Sequence, residues 1–284
     1  MNSVAFPSTT RRQPIYQVRP VDPLPWYRRT ESILWPMATI TVMLLIWEAT
    51  SRIFHIPIYI LPAPSKVVSV GLEHGSYLLW HSAVTTVEIL AGFAVSLVVG
   101  VLIAILIIWS KAFERAVLPL LVVSQAVPKI ALAPLLLVWF GFGWEPKMLV
   151  AFLVAFFPVV IDTVTGMQSV PTAMRDLARS MGTSRLQTMT RFIMPHALPN
   201  LFSGIKVAIT LAVSGAIIGE FVGADKGIGY VLLLANGRME TALMFSGIVI
   251  LSVIAMLLFY SVQFIEKICL PWHVSTHVLP HGRM

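Results

Sequence analysis

Apolar residues run along this chain in long stretches that do not alternate with polar ones, and short segments rich in Arg, Lys, Pro and Gly separate the stretches. A helix of about 20 mostly apolar residues matches the ~30 Å hydrocarbon core of a bilayer. Six runs meet that pattern, at 33–50, 83–109, 117–140, 148–164, 202–222 and 242–264, and predict transmembrane helices. Pro128 and Pro134 each remove a helix hydrogen bond, so the third run is predicted to kink there. The fold class predicted is an all-α membrane protein with six transmembrane helices. Its divisions are a flexible tail over 1–32, a membrane domain over 33–266 and a C-terminal tail over 267–284.

The stretch 174–199, between the fourth and fifth runs, is different in kind. Met174, Leu177, Ala178 and Met181 fall at i, i+3, i+4 and i+7 and form one apolar stripe, while Arg175, Asp176 and Arg179 point elsewhere. Pro171 suits a first helical turn and Gly182 a helix end. Leu186, Met189 and Ile193 make a second pattern that is expected to end at Pro195 and Pro199. Two short helices hinged at Gly182 are predicted. Taken alone, the same residues also fit a helix resting on anionic lipid.

Composition supports the membrane reading. Of 284 residues, 57% are hydrophobic and only 12% charged, and the mean hydropathy is +0.84. The net charge of +7 is better explained by placement than by nucleic acid. With the N-terminus inside, Arg11, Arg12, Arg19, Arg28, Arg29, Lys111, Arg115, Arg175, Arg179, Arg185, Arg191, Lys267 and Arg283 gather on the cytoplasmic side. Arg52, Lys66, Lys147, Lys226 and Arg238 are left outside. Cytoplasmic loops carry the excess of Lys and Arg, so both termini are expected in the cytoplasm. The apolar run starts late and lacks a small-residue cleavage site, which argues against a cleaved leader. Cys269 is the single cysteine, so no disulfide or zinc spacing exists. His273, His277 and His281 lack Cys or carboxylate partners at ligand spacing and read as a solvated tail. Neither a metal nor a cofactor is expected. Trp80, Trp109, Trp139 and Trp144 fall at run ends, as in an interfacial belt.

Asp176, Leu177, Ala178, then Gly182, then after nine residues Phe192, Ile193, Met194 and Pro195 resemble the EAAxxxG(x9)IxLP signature of permease subunits of ATP-binding-cassette importers. Asp stands for Glu, Leu177 for the first Ala, and Phe192 and Met194 for Ile and Leu; the glycine, the proline and the spacing match. LPAPSKVV at 61–68, AVPKIALAPLLLVWFGFG at 126–143, FFPVVIDTVTGM at 156–167 and GEFVGADKGIGYVLL at 219–233 resemble the branch that imports nitrate, sulfonates, taurine and vitamin precursors. The resemblance implies a cytoplasmic coupling helix between transmembrane helices four and five, within a coupling region at 171–196. Arg175, Asp176, Leu177, Ala178, Arg179, Gly182 and Pro195 are its expected ATPase-coupling residues. It implies further a bacterial inner-membrane location, a cytoplasmic ABC ATPase subunit in two copies, a periplasmic or extracytoplasmic substrate-binding protein, a second copy of this chain and surrounding lipid, with no nucleic acid. No GxxxxGK[ST] loop occurs, and GADKGIG at 223–229 has the wrong spacing, so the chain is not expected to be an enzyme.

Charges within hydrocarbon are costly and turn to the protein interior or a water-filled path. Glu88, Lys129, Asp162, Lys206 and Glu220 are therefore the expected translocation-pathway residues, with pairing of the three acids to Lys129 and Lys206 as a compatible structural role. Glu48, near an outer end, reads as snorkelling to the interface. Glu88 stands where sulfonate and nitrate relatives usually have Arg. At an effective dielectric of about 20, two unit charges ~4 Å apart interact by roughly 4 kcal/mol, so an ionised Glu88 would repel an anion. Glu88, Pro128, Lys129 and the ending Leu270, Pro271, Trp272 resemble permeases for thiamin pyrimidine precursors or riboflavin. The cargo expected is a small heteroaromatic compound, the alternative a sulfonate, nitrate or taurine-type anion.

Two other classes compete. A secondary transporter would also carry intramembrane charges and kinked helices, but no second half repeats the first and such a protein needs no coupling helix. An intramembrane serine protease would use Ser214 and Gly215, yet Ala212 stands where GxSG needs Gly, and no histidine lies within a proposed run.

Overall fold

The structure, a computed structural model, describes residues 26–271, with side chains from residue 34 onward. Most of both tails, with His273, His277 and His281, lies outside the described residues. The chain divides into a unit ending at Ala49 and a second from Thr50 on. Most of α1 (Trp26–Ile53) makes up the described part of the first. The helix continues through Pro36, and the hydroxyls of Thr39 and Thr41 return to the carbonyls of Trp35 and Met37 at 2.9 and 2.8 Å.

The second unit continues with α2 (Pro64–Glu73), α3 (Gly75–Trp109), α4 (Lys111–Ser124), α5 (Lys129–Phe140) and α6 (Glu145–Gln168). It is completed by α7 (Thr172–Ser180), α8 (Arg185–Thr188), α9 (Met194–Gly223), α10 (Ile228–Gly237) and α11 (Thr241–Cys269). No strand occurs among the described residues. By length and composition, five helices can cross a membrane: residues 34–53 of α1, α3, α6, the run from α8 through α9, and α11. A sixth crossing results if α4 and α5 count as one. α1 starts before position 33 and α11 ends after 266, so helix extends past both expected domain boundaries.

α6 is the central helix, flanked by α3 and α9. Lipid tails are as apolar as Leu, so helices in a bilayer gain little from hydrophobicity and associate through close packing of small residues. Ala151 shows how close. A Cβ on Gly92 of α3 would stand 2.6 Å from the Ala151 Cβ, and one on Gly215 of α9 would stand 2.7 Å from its Cα. Ile89, Ala155, Val159, Ile205, Ala208, Ile209 and Ala212 extend this core along the three helices. Ser96 adds a polar fastening, donating to the Phe152 carbonyl at 3.0 Å as well as to its own helix at Gly92.

Two sequence expectations are corrected here. The third run is no kinked helix: α4 and α5 are separate and meet at 97°. The break falls at 125–128, where Pro128 forces the residue before it out of the helical region and Ala126 and Val127 close short turns onto Val123 and Ser124. Pro134 stays inside α5. The second short helix of the basic stretch also does not end at Pro195. It passes through a π turn, Met189–Ile193, into α9, with Met194 N–H donating to the Met189 carbonyl five residues back. The wide turn accommodates a ring that would clash in a regular helix, and Pro195 and Pro199 lie in the continuing α9.

Candidate functional site

The first locus is the basic stretch at 171–196, the expected coupling region. Pro171 starts α7 without a side-chain cap, and the helix ends at Gly182, whose φ of +66° is a left-handed conformation natural to glycine. Gly182 N–H donates to the Arg179 carbonyl at 2.9 Å, and the Thr183 hydroxyl donates to that of Ala178 at 2.8 Å. Ser184 and Gln187 then form a reciprocal capping box that starts α8. The predicted apolar stripe divides. Ala178 is buried and Met174 half-buried, whereas Leu177 and Met181, one turn apart, are 55% and 64% exposed and form an apolar knob; Leu186 of α8 is exposed as well.

The knob is held to the helix bundle. Arg175 Nη2 donates to the carbonyls of Met167 and Gln168 at 3.1 and 3.4 Å, satisfying the C-terminal end of α6 with a cation where the helix dipole is negative. Met189, in the π turn, packs with Met167 of α6 and Ala197 of α9. Gln168 in turn donates to Glu114 of α4 at 2.9 Å. Asp176 and Arg179 form an exposed pair at 3.5 Å, a contact of little energetic weight in water. Pro195 lies in the first turn of α9.

The second locus is a buried polar cluster where α3, α6, α9 and α10 meet. Lys147 Nζ donates to Glu88 Oε1 at 3.1 Å. One turn earlier on α3, Thr85 donates to Glu220 Oε1 at 2.6 Å, and its oxygen accepts the Ile228 N–H at 2.8 Å. Gly227 N–H donates to His81 Nδ1 at 3.0 Å, and Gly229 N–H donates to Glu220 Oε2. Because a backbone N–H only donates, His81 Nδ1 is the accepting nitrogen. Three successive backbone donors at the start of α10 thus find acceptors on α3 and α9. Unmet in hydrocarbon, each would be costly, so the side chains do here what water does for an exposed helix end. Tyr77, Trp80 and Tyr230 surround the His81 ring.

The five intramembrane charges do not share one site. Glu88 and Glu220 lie in this cluster, but the expected partners are not the ones used: Glu88 pairs with Lys147, and Lys206 with Glu266 of α11 at 2.9 Å. Lys129 donates to Gln125 across the α4–α5 break. Asp162 has neither ion pair nor hydrogen bond among the described residues and lies against Gly204 of α9. Lys147, expected outside, is buried in the first turn of α6. His81 corrects a further expectation, since α3 begins at Gly75 and the histidine is buried in that helix. It binds Gly227, not Ser214. Sequence reasoning missed Thr85, His81 and Lys147. A signal existed for the last: a lysine directly after Pro146 in a helix's first turn is close enough to an apolar run to be drawn inside it.

Comparison with known proteins agrees with this architecture. Residues 96–270 match the family model described as binding-protein-dependent transport system inner membrane component. A formylaminopyrimidine transport permease protein of Halalkalibacterium halodurans is 35% identical, over 86% of this chain and 98% of its own length. A riboflavin transport system permease protein of Chloroflexus aurantiacus is 33% identical, over 88% and 96%. A Bacillus subtilis protein named for aliphatic sulfonate transport is 31% identical, over 82% and 86%. Among solved structures, an inward-facing methionine ABC transporter chain superposes with a TM-score of 0.56 at 23% identity, covering 68% of this chain and 96% of that one. At that identity the likeness concerns the fold.

Proposed function

This chain belongs to the family of binding-protein-dependent transport system inner membrane components, and from that membership we propose how its parts act in import. It is a multi-pass permease subunit of an ATP-binding-cassette importer and not an enzyme. α7, with Arg175, Asp176, Leu177, Ala178, Arg179 and Gly182, is the coupling helix, and the crossings number six, with α4 and α5 together as the third. Two copies of the chain enclose the path, each engaging one ATPase subunit from the cytoplasm, where both termini lie. A binding protein delivers cargo on the other side.

One observation carries this reading: exposed Leu177 and Met181 project from a helix tied by Arg175 to the end of α6 and joined by the Gly182 turn and the π turn to α9. A push on the knob therefore reaches two spans that pack along their length. Co-purification tests it. The partner ATPase subunit is expected to follow the wild-type chain and to be lost with Leu177→Asp/Met181→Asp; retention by the variant overturns the docking assignment.

Of the five charges named for the pathway, Glu88, Glu220 and Lys206 are held within the chain by buried or half-buried charged or hydroxyl partners. Lys129 meets only the neutral Gln125, and Asp162 has no ion pair or hydrogen bond among the described residues, so these two are the proposed path-facing charges. The cargo proposed is a small heteroaromatic vitamin or pyrimidine precursor, supported by the formylaminopyrimidine and riboflavin relatives. The charge of Glu88 adds no support, because Lys147 cancels its field. The sulfonate-named relative favours a second reading, an anionic cargo. Titrating the partner binding protein with formylaminopyrimidine, riboflavin and an alkyl sulfonate decides between them.

A further inference from the structure

A cavity of about 600 Å³ opens between the end of α3 and the coupling region. Lys111, Arg175, Arg179 and Arg185 line it, and no carboxylate does. Ile108, Trp109, Met189 and Ile193 form the rest of the wall that matters here. Arg175 supplies an independent observation: Nη2 is engaged by the end of α6, but Nε is buried with no hydrogen-bond partner. A buried donor without an acceptor is unfavourable until one arrives. Of the four cations, only Arg179 has a carboxylate partner among the described residues, the weak exposed contact with Asp176 at 3.5 Å. Four cations lining one cavity, one of them holding an orphaned N–H, describe a site for an anion with several acceptor oxygens.

We propose that this cavity binds the phosphate-bearing headgroup of an anionic phospholipid. The position favours a lipid over a free ion. α3 ends its apolar run at Trp109, the residue type that settles at the headgroup level, and the apolar wall beside the cations suits a glycerol backbone. Basic pockets between transmembrane helices on the cytoplasmic side bind such headgroups. A bound phosphate would bridge Lys111 at the start of α4, Arg175 and Arg179 on α7 and Arg185 on α8, and so hold α7 against the membrane. That consequence rests on the coupling-helix reading; the binding itself does not.

The test is native mass spectrometry of the purified full-length protein equilibrated with equal amounts of phosphatidylglycerol and phosphatidylcholine, with ATPase co-purification measured in parallel. The wild type is expected to retain phosphatidylglycerol in preference. Lys111→Gln/Arg185→Gln, at two exposed positions, lowers that preference by about tenfold or more, and Lys111→Arg/Arg185→Lys restores it. Equal retention of both lipids, or a preference unchanged in the Gln variant, overturns the proposal. Displacement of the lipid by inorganic phosphate assigns the site to free phosphate and overturns the lipid source. Loss of ATPase with unchanged lipid retention shows that acidic ATPase residues occupy the cavity, which also overturns it. Failure of the Leu177→Asp/Met181→Asp test alone leaves the lipid result standing and removes only the coupling consequence.

Discussion

Lys147 Nζ lies 3.1 Å from Glu88 Oε1, with side-chain exposures of 7% and 4%. The two residues come from different helices and 59 positions apart, yet neither can be understood without the other. An isolated charge at that depth would be strongly destabilising, whereas the pair is electrically neutral and fixes the register of α3 on α6. It places Glu88 as a structural partner first, and it removes the Coulombic ground for rejecting an anionic cargo.

Breaking the pair is expected to cost more than removing it. Glu88→Gln and Lys147→Met each leave one buried partner without its counter-charge, and each should destabilise the protein by about 3–5 kcal/mol. The double variant should recover most of that loss. Thermal unfolding of the detergent-purified chain measures the coupling, and additive single effects would contradict the pairing. Transport by a folded double variant would further show that the Glu88 charge is dispensable to the path.

Thr85 offers a narrower test. Its hydroxyl donates to Glu220 and accepts from Ile228 N–H, so Thr85→Val keeps the shape and removes both bonds. A buried polar group left unmet costs about 1–3 kcal/mol. Faster hydrogen exchange confined to residues 227–233 is the expected result, because the start of α10 loses its acceptor. Uniform acceleration across α3, α6 and α9, or none, would count against this clamp.

The spans were legible because their signal is composition over length, which survives any detail of packing. The helix over 172–180 and its end at Gly182 were legible from the 3.6 period and from the glycine. What the residues did not reveal was partner choice. Glu88 with Lys147 and Lys206 with Glu266 are contacts between helices distant in sequence, and the periodicity of one helix says nothing about which neighbour it meets. The burial of Lys147 was equally hidden, because its place just before an apolar run gives its position along the chain and not the Glu88 carboxylate it meets on α3. The break near Pro128 was half legible: the proline marked the site, but a kink and a 97° turn have the same sequence signature.

The orientation expected from the Lys and Arg count on each side can be tested chemically. With Cys269 replaced by Ser, a single cysteine introduced at Thr183, in the turn between α7 and α8, is expected to react with a membrane-impermeant maleimide only after cells are opened. A cysteine at Lys226, exposed between α9 and α10, should react in intact cells. The reverse pattern would invert the protein and detach the α7 knob from a cytoplasmic ATPase.

Gly182 separates conformation from contact. Its φ is +66°, and a Cβ added there would meet nothing within 4 Å. A side chain therefore costs only through the backbone, about 1–2 kcal/mol in the left-handed region and more for a β-branched residue. Asn tolerates that region. Gly182→Val should thus disturb the α7–α8 turn, where Gly182 and Thr183 close onto Arg179 and Ala178, while the spans, packed elsewhere, still insert and fold. Gly182→Asn should behave nearly as the wild type. Membrane yield and unfolding temperature of both variants are expected to stay close to the wild-type values, with ATPase co-purification and transport lost in the Val variant alone. If Val keeps the ATPase, the turn does not present the docking surface; if Asn loses it too, the glycine is needed for close approach of a partner and not for its φ.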